Sequence, residues 1–168
     1  MVRQATGKVL EVGVGTGKNL PYYSHDSDVC GIDFSPRMLA KAKGRAADSG
    51  AHIQLMEMDV QALDFADNSF DSVLTSCVFC SVPDPVQGLK EIRRVLKPGG
   101  QLFMLEHMRS ERPLIGKLMD WLNFMPVHLY GANINRRTLD NIREAGFTDV
   151  ESTNAWSDIV KRIRVVND

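Results

Sequence analysis

The stretch Val9-Leu10-Glu11-Val12-Gly13-Val14-Gly15-Thr16-Gly17 decides the fold, because an apolar run passes directly into three alternating glycines. The run has the length and branched composition of a buried β-strand, which we predict over residues 8–13. Glycine at the end of a strand lets the main chain turn tightly and lets a bulky ligand approach the backbone. We therefore predict a ligand-binding turn here, followed by a helix over residues 16–23.

Strand-length apolar runs alternate with helical patterns along the residues that follow. We predict further strands over 28–34, 52–58, 70–77 and 101–107, with helices over 36–48 and 85–96. This alternation predicts parallel strands joined by right-handed crossovers, with helices on both faces of the sheet. Beyond residue 107 we predict an apolar helical stretch over 112–130, a short helix over 138–145, and strands over 149–156 and 159–166 that pair as a hairpin.

Together these elements predict one α/β domain over residues 1–168, long enough for one sizeable core. The predicted architecture is Rossmann-like and doubly wound, with a mostly parallel seven-stranded sheet and a C-terminal antiparallel hairpin. Ser35 and Pro36 are typical of a helix start. Pro98-Gly99-Gly100 should end the 85–96 helix before the next strand begins.

Composition and charge narrow the classes of function. The formal net charge is −1, which gives no reason to expect a nucleic-acid partner. Three cysteines do not make a paired disulfide framework, and no apolar run approaches the roughly 20 residues that cross a bilayer. The polar start is not typical of a secretory signal. We expect a cytoplasmic protein, with peripheral membrane contact as an open alternative and with its oligomeric state undetermined.

The glycine spacing separates two nucleotide cofactors. A dinucleotide fingerprint reads G-x-G-x-x-G, and its third glycine would fall at Lys18. The chain has G-x-G-x-G instead, which suits a ligand without a pyrophosphate, and S-adenosylmethionine has no phosphate. The spacing therefore disfavours an NAD-dependent dehydrogenase.

Two aspartates at the ends of predicted strands are candidate nucleoside ligands. Asp33 follows Gly13 by 20 positions, and an ionised carboxylate there can accept hydrogen bonds from both ribose hydroxyls. The alternative role, capping the next helix, suits Ser35 better. Asp59 can accept from the adenine amine while the N–H of Val60 reaches a ring nitrogen, with a solvated loop aspartate as the alternative.

Six motifs follow one another along roughly residues 8–150. They are Glu11-Val-Gly-Val-Gly-Thr-Gly, Gly31-Ile-Asp-Phe-Ser-Pro, Met58-Asp, Phe70-Asp-Ser-Val, Arg93-Arg-Val-Leu-Lys-Pro-Gly-Gly and Leu105-Glu-His. The series resembles class I S-adenosylmethionine-dependent methyltransferases. Within that class it resembles the branch that holds ubiquinone/menaquinone C-methyltransferases and bacterial phosphatidylethanolamine N-methyltransferases.

The resemblance implies S-adenosylmethionine as cofactor and S-adenosylhomocysteine as its product. It also implies a set of cofactor-binding residues that follows the ligand from one end to the other. These are Glu11, Gly13, Gly15 and Gly17 at the methionine end, Asp33 at the ribose, Phe34, Asp59 and Val60 at the adenine, and Cys77 or Val78 against the methionine and methyl group.

The resemblance of three later segments to particular methyltransferases narrows the class of methyl acceptor. Cys80-Ser81-Val82, Glu106-His107-Met108 and residues 131–137 look closer to lipid N-methyltransferases, and are also similar to animal alkyl-thiol methyltransferases. We therefore predict a small or lipid-like acceptor, foremost a phosphatidylethanolamine-type amine. The alternatives are a quinol carbon, a thiol, or a cofactor-binding protein without turnover. Family members carry helices before the first strand that cover the cofactor; only residues 1–7 precede it here, so that lid is either naturally absent or truncated.

A quinol or thiol acceptor benefits from a base, whereas an amine needs only to arrive unprotonated. We predict His107 as the base, with Glu106, His128 and Tyr130 as other candidates and a structural histidine as the alternative. Cys77-Val-Phe-Cys80 has a C-x-x-C spacing, but without a second pair or a histidine cluster it predicts neither a metal site nor a redox site.

Residues 114–129 could form a membrane-facing surface or pack on the sheet. Their apolar side chains fall on all sides of a helix, which predicts burial or a wide substrate wall. Arg136 and Arg137 could contact a lipid phosphate, although arginines near a helix start are commonly solvated.

Overall fold

The computed structural model describes residues 1–168, apart from the side chain of Tyr130. Five α-helices and two short 3-10 helices, Val2–Gln4 and Leu20–Tyr22, accompany seven strands in the described part of the chain. The strands are β1 Lys8–Val12, β2 Asp28–Asp33, β3 His52–Glu57, β4 Phe70–Ser76, β5 Leu96–His107, β6 Asp149–Trp156 and β7 Val160–Val166. The helices are α1 Pro36–Ala47, α2 Pro85–Val95, α3 Pro113–Leu122, α4 Phe124–Tyr130 and α5 Thr138–Glu144.

The strands form one sheet in the order β3-β2-β1-β4-β5-β7-β6. The first five strands are parallel, and β7 pairs antiparallel with both β5 and β6. This confirms the predicted mostly parallel, seven-stranded sheet with its antiparallel C-terminal hairpin. The strand order reverses between β1 and β4, and in such sheets ligands bind at the carboxyl ends of the strands beside the reversal.

Apolar side chains cover the two faces of the sheet as two separate cores. On one face, α2 and α5 pack over buried Phe70, Leu102 and Phe147. On the other face, α1 and the loop after β1 pack over Val9 and Leu74. Strands buried on both sides explain why the central runs of sequence are almost continuously apolar.

The predicted helix over residues 16–23 is wrong. Only Leu20–Tyr22 is helical there, as a 3-10 helix with Pro21 in its first turn. Gly17 has φ of +77°, a left-handed conformation that cannot belong to an α-helix, so the chain leaves β1 in a series of turns. The loop after β1 is therefore longer than the glycine pattern predicted.

The strand predicted over residues 101–107 begins earlier, because β5 includes Pro98-Gly99-Gly100. Leu96 already has extended backbone and pairs with Phe70, and the register between β4 and β5 shifts after that pair. The Pro-Gly-Gly sequence thus forms an irregularity within the ladder. A bulge accommodates a proline and a positive-φ glycine without ending the strand.

The apolar stretch over residues 112–130 forms two helices, α3 and α4, which meet at Asn123. Pro126 has no N–H with which to continue the hydrogen bonding of α3. The predicted burial of residues 114–129 is wrong, because six large apolar side chains there are between 48% and 84% exposed. Among the described helices, none combines the length and apolar character needed to cross a bilayer.

Candidate functional site

A cavity of about 550 Å³ lies at the carboxyl ends of β1, β2 and β4. This is the edge at which the strand order reverses, and the volume is typical of a small-molecule site. Eight of the ten residues predicted to bind the cofactor line it: Gly13, Gly15, Asp33, Phe34, Asp59, Val60, Cys77 and Val78. Glu11 and Gly17 do not line it, and neither does His107, the predicted base.

The glycine turn presents open backbone to the cavity. Gly15 has φ of +56°, and beyond its two chain neighbours a Cβ added to it would meet no protein atom closer than 3.9 Å, the distance to the carbonyl oxygen of Gly13. The turn is held to the end of β2, because the N–H of Val14 donates to the carbonyl oxygen of Ile32 at 2.9 Å. The space beside Gly15 is therefore empty of side chains and available to a ligand.

Gly17 has a different role from Gly15. Its φ is +77°, and a Cβ there would lie 2.9 Å from Cδ1 of Leu20 and 3.1 Å from Cα of Ala42 on α1. Glycine is thus required for the turn to pack against α1. The structure gives Gly17 a packing role outside the cavity lining.

Asp33 links the glycine turn to the start of α1. Its Oδ2 accepts a hydrogen bond from the N–H of Gly15 at 2.8 Å, and its Oδ1 accepts from the N–H of Ser35 at 2.9 Å. The side chain of Ser35 makes no capping hydrogen bond, so the expectation that it caps α1 is wrong. Each carboxylate oxygen can accept a second hydrogen bond, and Asp33 lines the cavity, so acceptor capacity for a diol remains.

The predicted adenine ligands lie together along one part of the cavity lining. The carboxylate of Asp59 accepts from the N–H of Gln61 and from its Nε2, both at 2.9 Å, which fixes its orientation. Val60 is buried, and its N–H has no partner among the described residues. Phe34 also lines the cavity and is 75% exposed, so its ring is free to contact an aromatic base.

At the other side of the reversal, β4 ends in a turn that Glu106 holds in place. Cys77 has φ of +55°, an uncommon conformation for a residue with a side chain. Oε1 of Glu106 accepts from Oγ1 of Thr75 at 2.9 Å and from the N–H of Val78 at 3.2 Å. Glu106 is fully buried, and its Oε2 has no partner in the described part of the chain. Burial raises the pKa of Glu106 to about 7.

The buried carboxyl of Glu106 predicts a pH-dependent difference in stability. Its pKa in the folded protein lies above the ordinary value near 4.5. The contribution of the protonated carboxyl to the free energy of unfolding is therefore fully present below about pH 4.5, and it is lost as the pH rises through 7. Relative to the parent, Glu106→Gln should therefore gain roughly 3 kcal/mol in the free energy of unfolding between pH 4.5 and 8. Urea unfolding of both proteins across this range measures the difference.

An exposed carboxyl supplies the control for that experiment. Glu57 ends β3 at the surface, and Glu57→Gln removes no buried charge. Its difference from the parent should stay constant between pH 4.5 and 8. A constant difference for Glu106→Gln as well would contradict the assignment of a buried, proton-binding carboxyl.

Glu11 lies outside the cavity lining and supports it through hydrogen bonds. It is 2% exposed, and its carboxylate accepts from the hydroxyl of Tyr23 and from Nδ2 of Asn19, both at 2.9 Å. The same Asn19 amide donates to Oγ of Ser76, which lines the cavity, at 3.2 Å. Burial raises the pKa of Glu11 to about 7. Glu11 thus ties the loop after β1 to the ends of β1 and β4.

His107 is the last residue of β5 and pairs with Val160 of β7. Side chains alternate along a strand, so its imidazole lies on the opposite face from Glu106. Burial lowers the pKa of His107 and so favours the neutral ring. Of the other base candidates, the exposed His128 has Nδ1 at 2.7 Å from the carbonyl oxygen of Phe124, and the side chain of Tyr130 lies outside the described residues.

Cys77 and Cys80 lie in the turn after β4. Sγ of Cys80 donates to the carbonyl oxygen of Cys77 at 3.4 Å. Burial raises the pKa of both thiols, which disfavours the reactive thiolate. Within the described residues, no group of three or more His, Cys, Asp or Glu side chains is placed to hold a metal ion.

Several lining residues were not predicted. Ser81, Val82 and Pro83 form part of the wall, and Met38 and Gln61 also line the cavity. The position of residues 81–83, directly after a parallel strand beside the order reversal, was a signal that could have placed them there. Met38 had no such signal, because its spacing within α1 fits a core residue equally well.

Comparison with known proteins identifies the architecture. The family model described as a methyltransferase domain matches residues 10–104. Among solved structures, the YcgJ protein from Bacillus subtilis superposes with a TM-score of 0.77 at 16% identity, covering 96% of this chain and 90% of that one. At 16% sequence identity, this similarity shows a shared fold and nothing about activity.

Two curated relatives share more sequence. The phosphatidylethanolamine N-methyltransferase of Cereibacter sphaeroides is 43% identical over 111 residues, 64% of this chain and 55% of that protein. The ubiquinone/menaquinone biosynthesis C-methyltransferase of Bdellovibrio bacteriovorus is 36% identical over 128 residues, 73% of this chain and 54% of that protein. The chain thus spans about half the length of these relatives.

Proposed function

Because the chain belongs to the methyltransferase-domain family, we propose that it transfers a methyl group from S-adenosylmethionine to the amine of a phosphatidylethanolamine-type lipid. Residues 1–168 would act as one catalytic domain. A quinol carbon and a thiol are the alternative acceptors. A different class of function, a protein that binds the cofactor without turnover, is the other alternative.

The observation that carries the proposal is the junction of Gly15 and Asp33. An open backbone position, which a Cβ would fill, lies beside a carboxylate held by the N–H of Gly15 at 2.8 Å. This pairing suits a ribose diol whose sugar must approach the main chain closely. The nearby Asp59 carboxylate and the N–H of Val60 suit the edge of an adenine ring. The residues present therefore fit S-adenosylmethionine.

When bound, S-adenosylmethionine supplies an activated methyl group on a positively charged sulfur. The task of the protein is then to align the acceptor with that methyl group and to exclude water. Val78, Val82 and Pro83 supply an apolar wall on the β4 side, and the Glu106 carboxyl holds the Cys77–Val78 turn in position. None of these roles requires the protein to abstract a proton.

The chemistry of the cavity favours an amine acceptor. Its titratable lining groups among the described residues are two carboxylates, Asp33 and Asp59, and the thiol of Cys77, whose pKa is raised. No histidine or lysine, the side chains that most often act as bases near neutral pH, is among these described lining residues. An amine needs only to lose its proton to solvent before it enters. The 43% identity to a phosphatidylethanolamine N-methyltransferase supports the same choice.

A competition among acceptors tests this proposal. The protein is incubated with methyl-labelled S-adenosylmethionine and detergent-dispersed phosphatidylethanolamine, a demethylated quinol, or an alkyl thiol, and products are identified by mass. We expect labelled N-methylated lipid together with S-adenosylhomocysteine. Exclusive labelling of the quinol or the thiol would contradict the amine proposal. Cofactor binding without any labelled product would favour the class that binds without turnover.

The pH dependence of the methyl-transfer rate in a His107 variant distinguishes an amine acceptor from a quinol or thiol acceptor. If the acceptor is an amine, His107→Asn should leave both the rate and its pH profile within about twofold of the parent, because no protein base is required. The matched variant His52→Asn, at the exposed end of β3, controls for loss of an imidazole. A His107→Asn profile that loses its acidic limb, together with a lower rate, would support the base role and favour a quinol or thiol acceptor.

A further inference from the structure

Helices α3 and α4 expose six large apolar side chains to solvent. We call this set the apolar face. Its members are Leu114, Leu118 and Trp121 on α3 and Phe124, Met125 and Leu129 on α4, with exposures between 48% and 84%. Monomeric proteins rarely expose this many large apolar side chains together unless a partner or a membrane covers them.

Helix α3 is apolar on two different sides. Gly116 and Met119 are buried against the protein, whereas Leu114, Leu118 and Trp121 follow the i, i+4, i+7 spacing of a single exposed stripe. At 100° per residue, that stripe is turned well away from the buried pair. Packing within the domain therefore accounts for one apolar side of α3 and leaves the other unexplained.

Cations flank the apolar face. Arg112, Lys117 and Arg137 are exposed and form no ion pair with any described residue. Two nearby acidic residues are already neutralised, since Asp120 pairs with Arg109 at 2.9 Å and Glu111 pairs with Lys161. One further acid, Asp158, accepts hydrogen bonds from Ser110 and Glu111, so the three cations outnumber it. Residues 109–137 carry five Lys or Arg against two Asp or Glu, in a chain whose net charge is −1. The free charge around the apolar face is thus positive.

The same region is bonded to the wall of the cavity. The N–H of Asn133 donates to the carbonyl oxygen of Cys80 at 2.8 Å, and Nη2 of Arg136 donates to the carbonyl oxygen of Val82 at 2.6 Å. Val82 lines the cavity. The segment that follows α4 therefore supports the turn after β4, and it links the helices of the apolar face to the cavity wall through hydrogen bonds.

We propose that the apolar face docks on a bilayer that carries anionic phospholipids, with the apolar side chains among the acyl chains and Arg112, Lys117 and Arg137 at the headgroups. An apolar stripe with tryptophan, flanked by Lys and Arg, is typical of helices that lie in the membrane interface. Each flanking cation adds attraction to an anionic surface. Docking places the cavity wall against the lipid that supplies the acceptor, and this last point alone rests on the proposed function.

Vesicle binding without cofactor or acceptor tests the docking separately from catalysis. The protein is sedimented with phosphatidylcholine vesicles containing about a third phosphatidylglycerol, in low and high salt. We expect binding that weakens in high salt and falls at least about tenfold in the triple variant Leu114→Ser, Leu118→Ser, Trp121→Ser. The variant should keep the parent's melting temperature, because the three side chains are exposed. Tyr22→Ser, at an exposed aromatic outside α3 and α4, should bind as the parent does.

Fluorescence reports the depth of Trp121 directly. The chain has two tryptophans, so Trp156→Phe leaves Trp121 as the single reporter, and its emission should shift to the blue when anionic vesicles are added. Absence of vesicle binding, or equal binding by the triple variant, would overturn the proposal. A dimer that forms in the parent, is lost in the triple variant and excludes vesicles would assign the face to a second copy instead. Methyl transfer to dispersed lipid with no vesicle binding would overturn docking and leave the proposed function intact.

Discussion

Replacing Asp33 with alanine should weaken binding of S-adenosylmethionine by about 100-fold or more. Two hydrogen bonds from a ribose diol to a charged acceptor contribute roughly 3 kcal/mol in total, which corresponds to about two orders of magnitude in Kd. The loss should be larger still, because Asp33 also accepts from the N–H of Gly15 and orders the turn on which the ligand lies. Titration calorimetry with S-adenosylmethionine and with S-adenosylhomocysteine measures both affinities.

Two further variants separate ribose binding from structural support. Asp33→Asn keeps the shape and one acceptor oxygen, so its loss of affinity should be smaller, about tenfold. Asp59→Ala removes an exposed carboxylate that competes with water, so it should also cost about tenfold or less. If Asp33→Ala bound the cofactor as tightly as the parent, the proposed position of the ribose would be wrong.

A methyl group added at Gly15 should abolish measurable cofactor binding while the protein stays folded. The added Cβ meets no protein atom within 3.9 Å, so it occupies the space proposed for the ligand. Gly15→Ala should lose at least about 100-fold in affinity, because close-packed sites tolerate an extra carbon poorly. Its stability should fall by only about 1 kcal/mol, the cost of a side chain at φ of +56°. Calorimetry and urea unfolding measure the two effects.

Gly99 provides the matched control for backbone strain. It has φ of +77°, and a Cβ there meets nothing within 4 Å, but it lies in the β5 irregularity, away from the cavity. Gly99→Ala should therefore lose the same roughly 1 kcal/mol and bind the cofactor normally. Gly17→Ala should instead lose more stability than Gly15→Ala, because its added Cβ contacts Ala42, and it should lose less affinity for the cofactor. Normal binding by Gly15→Ala would place the ligand elsewhere.

Much of the fold follows from the sequence because its signals are local. The strand that ends at Val12, the carboxylate at the end of β2 and the alternation of strands with helices are all set by short runs of residues. Parallel strands then bring their carboxyl ends to one edge whatever the details of the loops. The residues at those ends, such as Asp33 and Val78, could therefore be assigned to one cavity from sequence alone.

The remaining features depend on contacts between distant residues. The exposure of α3 could not be predicted, because its apolar residues on both sides of the helix predict burial, and only the position of α3 relative to the sheet shows which side has no partner. The support given by Glu106 to Val78 joins residues 28 positions apart, and no local pattern indicates it. The different roles of Gly15 and Gly17 likewise depend on whether Ala42 lies beside them.

The placement of β7 between β5 and β6 has a consequence for synthesis of the protein. β6 leaves the ribosome before β7, yet it hydrogen-bonds to the sheet through β7 alone. Until β7 arrives, the nascent chain carries β6 without a partner and β5 with an open edge, and such edges pair readily with other chains. Backbone pairing of β7 with β5 closes that edge, and it buries β7 side chains such as Val165. Translation that pauses between the two strands should therefore favour aggregation, whereas a pause after β7 should not.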